Sequence, residues 1–208
     1  MLSIPTFPES NHEILLSLAI YSDQELVSLH QQHPEQGKFF TALFCRYSSI
    51  VYSVVQHAVA SQLQADYLFA ISWRQIFTEL QRVKLSADPE ATNWQNWLID
   101  ITGSTIALTE VPAQGQIRYA ITTASPPLWC YLEQELDRLP PLSRLILVMN
   151  HSLKWNEQRI CAYLQGEGQK IPVASIPNYL AESYQQLEAA LPQDIQHIYL
   201  ESRVGVLA

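Results

Sequence analysis

Positive charge is what this chain has least of. Of its 208 residues, 12 are lysine or arginine and 20 are aspartate or glutamate, a formal net charge of −8. The deficit is spread along the chain, with 6 basic against 11 acidic residues through position 120 and 6 against 9 beyond it. No hidden basic module exists, so attraction to phosphate, the main source of non-specific nucleic-acid affinity, starts at a handicap. Cysteine is also scarce. Cys45, Cys130 and Cys161 are odd in number and far apart, and no C-x-x-C pair occurs. That excludes a disulfide framework and leads us to expect reduced, buried thiols in a cytoplasmic protein. An apolar run of about 18 residues is absent, so no membrane span is expected. The opening MLSIPTFPES has neither a charged n-region nor a continuous apolar stretch, so it reads as a loose tail rather than a secretory signal.

Apolar residues, by contrast, make up 48% of the chain and aromatics 10%, enough for a folded core. Their spacing is helical. Ile14, Leu15 and Leu18 precede Leu26 and Leu29, with Ser22 and Asp23 as the N-cap of the second segment. Residues 37–60 carry Phe39, Phe40, Leu43, Phe44, Tyr47, Val51, Tyr52 and Val55. Residues 65–83 carry Tyr67, Leu68, Ile71, Ile76, Phe77 and Leu80, and 94–110 carry Trp97, Leu98, Ile101, Thr105 and Leu108. None of these segments alternates with period two. Residues 85–93 read as a loop, and 111–125 lose the periodicity and read as a linker. Four shorter helices are expected beyond it: one after Pro126–Pro127, one started by Pro140–Pro141, one over 154–164 and one over 171–188. The expectation is all-α, with two small helical domains: a tail and first helix start at 1–20, a domain over 21–110, the linker, and a domain over 126–200.

The ordered segments also resemble a known family. FFTALFCRYSSIVY at 39–52, ADYLFAISWRQIF at 65–77, WLIDITGS at 97–104, LDRLPPLSRLIL at 136–147 and the pieces at 159–164 and 171–187 follow one another with near-correct spacing. Together they are similar to the sigma-70 family of bacterial RNA polymerase sigma factors, in particular its small two-domain, extracytoplasmic-function type. The resemblance implies a sigma region 2-like first domain and a region 4-like, helix-turn-helix second domain. It implies that Asp66, Tyr67, Phe69, Ala70, Trp73 and Arg74 form the surface that docks on the clamp of RNA polymerase core. It implies that Ser175, Pro177, Asn178, Tyr179 and Glu182 occupy the DNA-reading positions, and that Arg144 bridges helices.

The departures from the family all fall on contact positions. Tyr67 and Ala70 replace an acidic residue and a glutamine, while Asp66 keeps a neighbouring carboxylate. Thr102, Gly103 and Ser104 stand where basic residues accompany promoter melting. Residues 173–192 contain no lysine or arginine at all, and the 165–170 stretch lengthens the turn before them. Losing about six phosphate contacts removes several decades of affinity near physiological salt. The expected activity is therefore sigma-like association with polymerase core with weakened promoter-DNA contacts. The alternative is a sigma-like adaptor that does not bind DNA and instead binds a protein, an anti-sigma factor or another, through its acidic C-terminal domain.

Other residue groups read as structural. His30 and His33 are expected as surface polar residues rather than a metal site, and Glu133, Glu135 and Asp137 as a solvated helix face. The five tryptophans fall on apolar stripes, and Arg74, Arg82 and Lys84 cluster where a helix C-terminus suits cations. No serine lies in a G-x-S-x-G elbow, and Gly166-Glu167-Gly168 is too short for a phosphate loop. No catalytic residue, metal ligand or cofactor is expected, and the chain is not expected to be an enzyme.

Overall fold

The computed structural model describes residues 4–84, 93–121 and 124–201. Among them are ten α-helices, a few short 3-10 turns and no strand, so the fold is all-α. Most of the loop expected at 85–93 lies outside the described residues, as do positions 122–123 of the expected linker. None of the described helices is long and apolar enough to cross a membrane. The chain divides into two compact units, one containing residues 1–130 together with the segment from Pro192 onward, the other Tyr131–Leu191.

The first unit opens with a 3-10 turn, Pro8–Asn11, then α1 (Glu13–Leu16), a second 3-10 turn (Ser17–Ile20) and α2 (Asp23–Gln32). A capping box starts α2: the Ser22 hydroxyl accepts from the Glu25 amide, and the Glu25 carboxylate accepts from the Ser22 amide at 2.7 Å. The Ser22 amide and then the Ser22 hydroxyl, both donating to it, hold the Glu25 carboxyl below its ordinary range. The long helices α3 (Lys38–Gln56), α4 (Gln62–Leu80) and α5 (Trp94–Leu108) pack mutually. Ser61 caps α4 by accepting from the Gln64 amide at 3.2 Å, and Asn93 caps α5 by accepting from Asn96 at 2.9 Å.

Their shared core is aromatic. Phe44 meets the edge of Trp73 at 5.0 Å between centroids, Phe40 meets Phe77 at 4.9 Å, and Tyr52 meets Phe69 at 5.1 Å. Each such ring brings about 1.5–3 kcal/mol of burial and up to about 1 kcal/mol more from edge-to-face geometry.

The N-terminal stretch corrects the loose-tail expectation. Phe7 sits against Phe44 at 4.7 Å and Phe69 at 5.8 Å, and Glu9 is buried. Its burial is dictated by rings supplied from α3 and α4, which no local pattern reveals. The described part of the 111–125 linker is likewise packed rather than free. It belongs to the first unit, buries Ile117 and Ile121, and receives a bond from Gln64 Nε2 to the Pro112 carbonyl at 3.1 Å.

His30 corrects another expectation. It is wholly buried, flanked by Phe40 and Phe77 at about 6 Å, and its Nε2 lies 2.9 Å from the Gln81 amide nitrogen. Desolvation pushes its pKa down to about 4. His33, by contrast, is exposed and stands 3.4 Å from Glu35.

Helix α6 (Pro126–Arg138) starts within the first unit and, from Tyr131, belongs to the second, which continues with α7 (Pro141–His151), α8 (Glu157–Gly166), a 3-10 turn (Val173–Ser175) and α9 (Ile176–Ala190). Pro141 stands in the first turn of α7, where its missing N–H costs nothing. Lys154 takes a left-handed φ of 54°, and Asn156 caps α8, so that helix begins later than residue 154.

Ile146, Met149, Ile160, Leu164, Ile171 and Ile176 form one core cluster, and Leu139, Leu147 and Leu187 a second. Arg144 donates to the Asp137 carboxylate at 3.1 Å and to its carbonyl at 3.3 Å, joining α7 to α6. Glu135 is buried, not solvated, and pairs with Arg138 at 2.6 Å; only the exposed Asp137 fits the expected surface role.

Helix α10 (Gln193–Gln196) and one π-helical turn (His197–Glu201) follow, and the sequence reading assigned neither. Both belong to the first unit.

Candidate functional site

Two surfaces carry the functional question, one on each unit. On α4 the six residues matched to the clamp-docking surface do not share a face. Phe69, Ala70 and Trp73 are wholly buried among the rings of the first unit. Asp66 is partly buried and engaged: it accepts from the Tyr52 hydroxyl at 2.7 Å and from Gln62 Nε2 at 3.1 Å. Tyr67 is partly exposed and Arg74 exposed.

The outward face follows helical spacing instead, through Leu63, Tyr67, Ile71, Arg74 and Thr78. Leu63 and Ile71 were missed because the family columns, not the spacing from Tyr67, chose the candidates. Counting three and four residues either way from Tyr67 finds them.

At the end of α4 the cluster Arg74, Arg82 and Lys84 is exposed. The Leu80 and Val83 carbonyls are taken by Gln31 Nε2, both at 2.8 Å, rather than by those cations. On α5 the melting-segment position Thr102 is buried, its hydroxyl donating to the Leu98 carbonyl at 2.7 Å. Only Ser104 of the Thr102–Gly103–Ser104 trio has an exposed side chain.

On α9 the inward face is Ile176, Tyr179, Leu180, Ser183 and Leu187. Tyr179 packs on the core, and the buried Ser183 hydroxyl donates back to its carbonyl at 2.6 Å. Pro177, Asn178 and Glu182 are exposed, alongside Tyr184, Gln185 and Glu188; Ser175 is half-buried at the helix start. The turn before α9 is long and well built. Gly168 has φ +81°, its amide bonds the Gln165 carbonyl at 3.0 Å and the Gln169 amide bonds the Leu164 carbonyl at 2.9 Å, the paired closure of a Schellman end. Cys161 is buried and its thiol lies 3.1 Å from the Ile171 carbonyl, tying the far side of the turn to α8.

The exposed face of α9 is therefore presented to solvent by an ordered turn, and it carries carboxylates and amides without a single cation. Phosphate contact by that face has no charge to work with, and Glu182 and Glu188 repel it.

Among the described residues no three or more His, Cys, Asp or Glu side chains gather in a way that could hold a metal ion. An open groove of about 550 Å³ runs beside Tyr21, Ser22, Glu25 and Leu29, but Glu25 is already occupied by the capping box. It offers no base–nucleophile pair. Set beside known proteins, the chain matches no protein-family model and no curated sequence, so the sigma-70 resemblance rests on the order and spacing of its motifs alone.

Proposed function

We propose that this chain is a sigma-like helical adaptor that binds a protein, with RNA polymerase core as its first partner, and that it does not read promoter DNA through α9. The observation that carries this reading is the outward face of α9, exposed and held by a well-formed turn, yet devoid of lysine and arginine. Protein contact is supported by the stripe Leu63, Tyr67, Ile71 and Arg74 on α4, which places apolar bodies beside a guanidinium, a composition common in interface cores. Binding of purified core polymerase together with flow-through on promoter DNA or heparin at about 100 mM salt is the expected result. Firm retention on DNA would overturn the reading of α9.

A second reading, an adaptor for a partner outside transcription, draws on the burial of Phe69, Ala70 and Trp73. Half of the residues matched to the clamp surface are unavailable to any partner while the first unit is folded. Failure to bind core polymerase, with another protein recovered on the α4 stripe, is the outcome that favours it.

A further inference from the structure

Helix α3 has Gly37 at its N-cap position, and glycine has no side chain with which to cap it. Its first amides are satisfied from the other end of the chain. Asp194 Oδ1 accepts from the Gly37 N–H at 3.0 Å, and Oδ2 accepts from the Lys38 N–H at 2.9 Å. A carboxylate there also meets the positive end of the helix dipole. The same Oδ1 accepts from the Ile195 amide at 2.9 Å, which fixes the rotamer and opens α10. Ile195, Ile198 and Tyr199 follow, all buried. The Tyr199 hydroxyl donates to Glu9 Oε1 at 3.1 Å, so the segment holds the N-terminal turn as well as the start of α3.

Two features set this segment apart from an ordinary core helix. It is four residues of α-helix and one π-turn, far too short to persist undocked, so it is ordered on the unit or unfolded. It also follows an extended joint, with ψ 142° at Leu191 and 138° at Pro192, so it can leave without unwinding α9.

We propose that residues 192–201 form a releasable strap that closes the first unit and, when it lifts, bares the start of α3 and the surface around Glu9 and Cys45. In its absence the same seat fits a partner helix of like design: an aspartate to cap α3, followed one and four residues later by isoleucine-sized side chains.

Cys45 reports the state of the strap. It is partly buried on α3, within electrostatic reach of both Glu9 and Tyr199, and burial pushes its thiol up to about 12. Cys130 is buried in the same unit and reports unfolding of that unit instead. In the full-length protein carrying Asp194→Ala with Tyr199→Phe, alkylation of Cys45 is expected to accelerate about tenfold, the scale of a lost helix cap, while Cys130 keeps its rate. Tyr199→Phe alone, which keeps the ring, is expected to show the same pattern with a smaller rise. If Cys130 accelerates together with Cys45, or if neither changes, the segment is an inseparable part of the core and the strap is overturned.

Discussion

The Tyr52 hydroxyl on α3 donates to the Asp66 carboxylate on α4 at 2.7 Å, with Gln62 bonding to both groups. A carboxylate that the motif order assigns to a partner is thereby committed to joining two helices of its own unit. Burial, and then the bond to Asp66, push the Tyr52 phenol above its ordinary range, so it remains a donor at any physiological pH. Tyr52→Phe is expected to cost about 1.5 kcal/mol, the scale of a bond to a charged group. Urea unfolding checks it; a loss under about 0.5 kcal/mol would show that Asp66 is free for other work.

Burial separates the remaining α4 candidates into two sets. Phe69→Ala or Trp73→Ala removes a wholly buried ring and is expected to destabilise the protein by about 3–5 kcal/mol. Tyr67→Ala lies on the outward face and is expected to cost far less stability while weakening partner capture. A binding assay at matched folded fraction distinguishes the two sets, and equal stability losses in both would refute the assignment of faces.

If the missing cations are what separates α9 from a DNA-reading helix, restoring them restores affinity. Glu182→Lys with Glu188→Lys exchanges two exposed carboxylates for ammonium groups, a change expected to shift stability by less than about 0.5 kcal/mol. Retention on heparin at low salt is expected to rise markedly, with a salt slope steeper by about two units. An unchanged elution position would mean that the geometry of the face, and not its charge, prevents DNA contact.

Acid sensitivity is expected to trace to His30. Its folded pKa of about 4 lies below the ordinary 6.5, so the fold favours the neutral ring. Stability is then full above about pH 6.5 and falls as pH drops towards 4, because the unfolded chain takes up a proton that the native state refuses. At about pH 5 the loss from this residue is about 2 kcal/mol relative to neutral pH. Unfolding free energies measured at both pH values should show a smaller drop for His30→Leu than for the parent; equal drops would place the titration elsewhere.

The turn before α9 depends on one left-handed residue. Gly168→Ala meets open space, yet its φ of +81° disfavours any Cβ, and a loss of about 1 kcal/mol is expected. Gly166→Ala, also facing open space but at the end of α8 with no left-handed φ, is expected to be neutral or to stabilise by about 0.5 kcal/mol. Thermal melts of the pair decide whether conformation or crowding governs the turn.

Much of the helical framework was readable residue by residue. Apolar spacing located α3, α4, α5 and α7, and short-range chemistry marked the starts: Ser22 and Asp23 at α2, Pro140–Pro141 at α7. Those signals survive folding because both partners lie within a turn of each other. The boundary of α8 was misjudged where Lys154 adopts a left-handed conformation that lysine seldom takes. His30, Glu135 and Phe7 were misread for a common reason: the burial of the first two and the ring contacts of Phe7 with Phe44 and Phe69 arise only in the folded chain, and polar type or terminal position gives no hint of them.

What the sequence by itself determined is the all-α class and the cation-free outer face of α9, since periodicity and residue type suffice for both. Which α4 residues face outward, and how α3 is capped, only the tertiary structure decided. Phe69, Ala70 and Trp73 lose their solvent to the packed core of the first unit, and Asp194 caps α3 at the Gly37 amide, 157 positions earlier in the chain. Burial and long-range capping are properties of spatial neighbours, and local spacing carries no record of neighbours so distant.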